Sequence, residues 1–271
     1  MIVNLARRRT LSKDIAETID GWEYDPGRVS ARWIKGTDGG TKIQLRLDLG
    51  LFQMEPEGRP DGTRPRGYPS LLDYYLTLER TSSGMAFPRL NEEACAELQQ
   101  EAVQYYYRYL SLYALRHYEG VIRDTRHNMM IVELVERHAQ DDDIAWEFLQ
   151  FYPYMRMMNA RATADQFVAD GRDEYEMAIL AIEQGLADIR AFWKKHDDAD
   201  YDGELSTDEE DVLNELIEEL KERKPKSQSE RLQEDLQRAI AVENYEKAAN
   251  LRDALRRMDK KGGKSKQPDV S

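Results

Sequence analysis

From Ser70 to Met258, apolar residues recur every three or four positions almost throughout, and that periodicity commits most of the chain to amphipathic helices. Two-residue alternation is confined to the amino-terminal part. There Val29, Ala31 and Trp33 share one face, a glycine-rich turn follows at 37–40, and Ile43, Leu45, Leu47 and Leu49 then point inward between Lys42, Gln44, Arg46 and Asp48. Two strands alone are marginal in water, so this hairpin must pack on the helices or gain a third strand at 51–55. The expected fold is mainly α, with one amino-terminal β-hairpin of two or three strands.

Local signals divide the helical part. Ser70-Leu71-Leu72-Asp73 has the form of a capping box, and Asn91 stands before Glu92 and Glu93 as a second cap, with Leu90 stapled to Cys95. The helix after Asn91 carries Leu98, Ala102, Tyr105, Tyr106, Tyr109, Leu112 and Tyr113 as a wide stripe, the pattern of a core or of a ligand surface. Pro153 should kink or divide a helix over 144–168, because proline removes a backbone hydrogen bond and clashes with the preceding turn. Pro225, within a lysine-rich stretch, should end the next helix. The expected organisation is a β-hairpin region with a proline- and glycine-dense loop over 1–69, a helical domain over 70–223, a linker at 224–228, a helical hairpin over 229–259 and a disordered tail at 260–271. The loop at 55–69 is longer than an ordinary connection, as binding loops are. Residues 1–13 read as a frayed basic arm.

Tyr118-Glu119-Gly120-Val121-Ile122, followed by Thr125, Asn128 and Met129, shares its spacing with Tyr175-Glu176-Met177-Ala178-Ile179, followed by Ile182, Gly185 and Leu186. This pattern is similar to the second helix of a tetratricopeptide repeat, and it implies two stacked helical hairpins with Gly171 between the helices of the second.

Net charge −13 and a pI near 4.9 speak against tight nucleic-acid binding, which draws on a concentrated positive field. No apolar run approaches the roughly 20 residues of a membrane span. The start, with Arg7, Arg8 and Arg9 and no apolar stretch behind them, does not read as a signal peptide, so a cytoplasmic protein is expected. The single cysteine, Cys95, leaves no internal disulfide framework.

Catalytic motifs are absent from the sequence: there is no phosphate-binding glycine loop, no G-x-S-x-G and no H-E-x-x-H. His117, His127, His138 and His196 have polar neighbours and read as exposed helix residues. The stretch 198–209 fits a twelve-residue calcium loop, with oxygen ligands at Asp198, Asp200, Asp202, Glu204, Ser206 and Glu209 and a glycine at position 6. Its flanks depart from that pattern: Asp197 and Glu210 stand where apolar residues usually do. No other cofactor is expected.

The most specific stretch is 229–259. Leu232, Leu236, Ala239 and Ile240 form one helical stripe, and Ala248, Leu251, Ala254, Leu255 and Met258 form a second. Ser229 reads as the first cap, and Glu243-Asn244 marks the bend before Tyr245. The run Glu243-Asn244-Tyr245-Glu246-Lys247-Ala248-Ala249-Asn250-Leu251-Arg252-Asp253 resembles the UVR motif of excinuclease subunits B and C. That resemblance implies a docking hairpin that performs no chemistry and binds another protein or a second copy of itself. Its protein-binding residues would be Tyr245, Ala248, Ala249, Leu251, Arg252, Asp253 and Leu255, with Ala248 and Ala249 in a close-packed seam filled by Tyr245 and Leu251. The segment 47–67 also resembles one found in uncharacterised bacterial proteins that end in this motif. The leading expectation is a non-catalytic interaction or adaptor protein. The alternatives are an accessory of nucleotide excision repair and a calcium-responsive helical adaptor; an enzyme comes last.

Overall fold

The computed structural model describes residues 14–82, 87–196, 207–225 and 228–262, and the chain divides into two compact units, Met1–Leu220 and Lys221–Ser271. The first unit opens with a short helix α1 (Ala16–Ile19) and a sheet of β1 (Ala31–Lys35), β2 (Thr41–Arg46) and β3 (Leu51–Met54). Helices α2 (Leu71–Thr81), α3 (Glu92–Ala114), α4 (Tyr118–His138), α5 (Asp142–Leu149), α6 (Tyr152–Val168), α7 (Tyr175–His196) and α8 (Asp208–Arg223) follow. The hairpin consists of α9 (Gln228–Ala241) and α10 (Tyr245–Gly262). The fold is mainly helical with a small antiparallel sheet at the amino-terminal end, as the two periodicities require.

The strands run in the order β1-β2-β3, with Trp33 opposite Ile43 and Leu45 opposite Phe52. Ile43, Leu45 and Met54 are buried in the core beside Tyr109 and Leu112. The alternation overshoots the strand. Leu47 and Gly50 exchange backbone hydrogen bonds (2.9 and 3.3 Å), so Asp48 and Leu49 form the tip of a two-residue turn and Leu49 is exposed rather than inward. Gln44, expected outward, is buried instead. Arg32, lying over the Trp22 ring, donates two hydrogen bonds to its Oε1 (3.0 and 2.8 Å), and its Nε2 reaches Gln53 (3.1 Å).

The caps at Ser70 and Asn91 are where the sequence puts them. Ser70 Oγ accepts from the Asp73 N–H (3.0 Å), and Asn91 Oδ1 accepts from the Ala94 N–H (3.0 Å). Pro153 sits at the start of α6, just past the break that separates it from α5. Tyr118 and Tyr175 each open a helix, α4 and α7; α4 packs on both α3 and α6, and α6 packs on α7. Gly171 (φ 75°) takes the left-handed conformation between α6 and α7. Residues 1–13 and 263–271 lie outside the described residues, and α10 continues past Met258 to Gly262, three residues into the stretch expected to be disordered.

Helices α6 and α7 cross closely at Gly185. A Cβ built on Gly185 would lie 2.6 Å from the Ala160 Cβ, a separation that real atoms do not tolerate. Gly185→Ala should therefore destabilise the protein by about 1–3 kcal/mol through overpacking. Adding Ala160→Gly should return part of that loss, less its own helix cost of about 1 kcal/mol. Urea unfolding midpoints of the single and double variants would test the close crossing; additive destabilisation would refute it.

Candidate functional site

The hairpin is built around its turn. Glu243 adopts φ 55°, the Asn244 N–H bonds the Ala239 carbonyl (2.8 Å) and the Glu243 N–H bonds the Ile240 carbonyl (3.0 Å), the bond pattern of a Schellman motif. Asn244 Oδ1 then accepts from the Lys247 N–H (3.1 Å) and caps α10, so one polar pair closes one helix and opens the next. The connection between α3 and α4 repeats this pattern bond for bond. Arg116 has φ 57°, the His117 N–H bonds the Leu112 carbonyl (2.8 Å), the Arg116 N–H bonds the Tyr113 carbonyl (2.9 Å), and His117 Nδ1 accepts from the Gly120 N–H (3.2 Å). Tyr118-Glu119 and Tyr245-Glu246 start the second helix in the two cases.

The equivalence extends to packing. Buried Leu112 and Val121 hold the α3–α4 seam, and buried Ala239 and Ala248 stand at the same two positions of the α9–α10 seam. The outer residues differ in fate. Tyr113, Leu115 and Tyr118 are packed against the core of the first unit. Their counterparts Ile240, Val242 and Tyr245 are 53%, 70% and 69% exposed.

The seven residues assigned to binding therefore separate into two faces of α10. Ala248 is buried and Leu251 and Leu255 are half-buried, all facing α9. Tyr245, Ala249, Arg252 and Asp253 are exposed and share a stripe beside the seam at i, i+4, i+7 and i+8. Tyr245 and Ala249 thus lie outside the seam, contrary to the sequence reading: Ala249 is turned about 100° from Ala248, and Tyr245 stands exposed at the first position of α10, where the helix has only just left the turn. Ser229 is not a cap either, since α9 already begins at Gln228.

A second constellation, which sequence patterns did not reveal, fastens the loop at 55–69. Arg108 and Asp124 are fully buried and meet through two parallel bonds, Nε to Oδ2 (2.6 Å) and Nη2 to Oδ1 (2.8 Å). The remaining guanidinium nitrogen of Arg108 donates to the carbonyls of Glu55 (3.1 Å) and Gly58 (2.7 Å). Arg123 bridges Asp124 (2.8 Å) to the Pro56 carbonyl (2.9 Å) and pairs with Glu57. Buried Glu101 accepts from Arg59 Nε (3.0 Å) and from the first two N–H groups of α2, Leu71 (2.8 Å) and Leu72 (3.1 Å). It also meets His127 Nε2 (3.1 Å), whose ring stacks on Tyr105 at 3.6 Å. Burial works to raise the Glu101 pKa, but His127 and the Leu71 and Leu72 amides outweigh it and hold the pKa below the ordinary value.

These charges are spent on each other and on loop carbonyls, so the cluster positions a loop. His127, His138 and His196 are half-buried and in ring contact with Tyr105, Phe87 and Phe192 respectively, rather than exposed; His117 is exposed as expected. Burial raises the Cys95 thiol pKa, which leaves it protonated and weakly nucleophilic. Of the calcium-loop ligands, Asp198, Asp200, Asp202, Glu204 and Ser206 lie outside the described residues, and Glu209 stands in the first turn of α8. Among the described residues, no helix is long and apolar enough to cross a membrane.

Comparison with known families matches residues 226–261 to the UvrB/uvrC motif, the stretch that forms the hairpin. The motif is known from UvrB and UvrC and is consistent with a protein-interaction or repair-related role. No curated protein and no solved structure matches the chain.

Two outcomes follow from this geometry. Ala248→Glu would place an unpaired carboxylate in the seam and should melt the hairpin, whereas exposed Ala249→Glu should leave it folded; amide exchange across α9 and α10 distinguishes them, and equal protection would refute the two-face assignment. For Glu101, a pKa lowered by folding means stabilisation that is present above the unfolded value of about 4.3 and lost as pH falls through the folded value. The melting temperature should drop more steeply for the parent than for Glu101→Gln between about pH 5 and pH 3.

Proposed function

We propose that this protein is a non-catalytic adaptor whose carboxy-terminal hairpin docks, turn first, onto a helical hairpin of a partner protein or of a second copy. The observation that carries this reading is the uncovered trio Ile240, Val242 and Tyr245. At the equivalent turn positions between α3 and α4, Tyr113, Leu115 and Tyr118 are covered by other elements of the fold. A pair of short helices buries too little apolar surface to be stable by itself, and covering each exposed side chain adds about 1.5–3 kcal/mol. Arg252 and Asp253, on the same outward stripe as Tyr245, supply charges at the rim that orient the partner more than they hold it. The motif's occurrence in UvrB and UvrC favours, as the second reading, an accessory of nucleotide excision repair, in which the partner hairpin belongs to the excision machinery.

The test uses the full chain with Val242→Ser and Tyr245→Ser together, two exposed changes that leave the seam intact. Sedimentation measures self-association, and affinity capture from native cells followed by rebinding of the purified partner measures the heterotypic case. Recovery should fall by roughly tenfold or more, equivalent to about 1.4 kcal/mol. Unchanged recovery in the double variant would remove the turn from the interface. Unchanged recovery after deletion of residues 224–271 would overturn the adaptor reading itself.

A further inference from the structure

We infer that the groove between α3, α4 and the α5–α6 corner of the first unit receives the apolar turn of a second copy's hairpin, an assignment that rests on the docking reading above and names the partner. Val103 and Tyr106 of α3, Ile131 of α4, and Phe148, Phe151 and Tyr154 at the corner line the groove. Val103 is 46% and Phe151 55% exposed, and the aromatic wall runs on from Tyr106 through Tyr107 to Phe52 of β3, which is 40% exposed. Exposed apolar and aromatic side chains gathered round one concavity are the anchors of a protein interface, not the single scattered residues of an ordinary surface.

Size sets what enters. The groove measures about 570 Å³, and a cylinder about 10–12 Å wide and 5.4 Å long, one helical turn with its side chains, fills about as much space. It therefore takes the end of a helix and not its length. The hairpin offers such an end, with Ile240, Val242 and Tyr245 exposed at its turn. When each of two chains places its turn in the other's groove, the contact is made twice and the dimer closes on a two-fold axis.

Charge selects the partner. Residues 221–271 hold 14 Lys and Arg against 9 Asp and Glu, a net charge of +5, which leaves −18 on residues 1–220. Two carboxy-terminal units repel each other, whereas a carboxy-terminal unit and a first unit attract. The turn itself is balanced, with Arg238 and Lys247 beside Glu243 and Glu246, so the attraction falls on the shaft behind it. Glu209 lines the groove at the start of α8, and Glu215 and Glu219, both exposed, follow it at about 9 and 15 Å along that helix. Arg252 and Arg256, exposed on α10, lie about 10 and 16 Å behind Tyr245. With the turn in the groove and α10 laid along α8 of the other copy, the two arginines come opposite the two glutamates.

Sedimentation of the full chain should show a concentration-dependent dimer that weakens as salt is raised. Val103→Glu, an exposed change at the groove that should leave the helix content near the parent's, and Val242→Ser with Tyr245→Ser at the turn should each raise the dimer dissociation constant by about tenfold or more. Mixed one to one, these two chains should associate more tightly than either does alone, because the intact turn of one still meets the intact groove of the other. Arg252→Glu with Arg256→Glu should weaken the dimer, as should Glu215→Arg with Glu219→Arg. Mixing these two charge-reversed chains should restore it, since both contacts then pair opposite charges again. A parent that is monomeric at every concentration, or mixtures that recover no association, would overturn the inference. A hairpin-dependent dimer that Val103→Glu leaves unchanged would also overturn it, while the adaptor reading would stand with the hairpins paired to each other. A dimer unchanged by deletion of residues 224–271 would overturn both. Should Val103→Glu fail to fold, the charge-reversed chains still decide the matter.

Discussion

The first unit depends on Arg108. Its guanidinium is out of solvent, and its nitrogens are distributed between a buried carboxylate and two loop carbonyls, so one side chain ties α3 to α4 and both to the loop at 55–69. Desolvating such a pair costs several kcal/mol, which only complete hydrogen bonding can offset. Here the offset comes from a loop rich in proline and glycine, whose carbonyls at Glu55, Pro56 and Gly58 accept from Arg108 and Arg123. The loop orders the arginines, and the arginines order the loop. Glu101 works in the same way at the next step, accepting from the free N–H groups at the start of α2 and from Arg59 on the loop.

The recurrence of one turn in two settings separates what a helical hairpin needs from what it is used for. A left-handed residue, a following cap and a Tyr-Glu helix start are common to α3–α4 and α9–α10. At the first turn, larger seam residues and a covering sheet make the hairpin part of a core. At the second, alanines draw the helices together and leave the turn's apolar residues in solvent. The left-handed position is Arg116 in one and Glu243 in the other, neither of them glycine, so both turns carry some backbone strain that their hydrogen bonds overcome.

The sequence was legible wherever the signal was local. The caps at Ser70 and Asn91, the bend at Glu243-Asn244, the division at Pro153 and the helix start at Tyr245 each depend on the preferences of one to four neighbouring residues, and each stands where those preferences put it. Leu49 failed because alternation does not know where a strand turns, and Ser229 because helix ends are set by more than a capping side chain. Ala249 failed by adjacency: Ala248-Ala249 reads as one small-residue pair, but a rotation of about 100° per residue turns the second away from the seam. Tyr245 failed because it opens α10 at the turn, where it is left exposed. A signal for the Arg108 clamp was present. An arginine three residues after Tyr105 and four before Leu112 sits on the buried face of α3, where a charge requires a partner.

By itself the sequence determined the mainly helical class, the existence of the small sheet, and a terminal hairpin with the UvrB/uvrC motif, because periodicity, capping and a dense local motif act over a few residues. Tertiary structure alone decided that Asp124 is the partner of Arg108, that Glu101 caps a helix from another element, and that the outer residues of one turn are packed on the core while those of its twin are exposed. Each of these joins groups brought together by packing, and no local preference records which surface a side chain will meet once the helices have closed on one another.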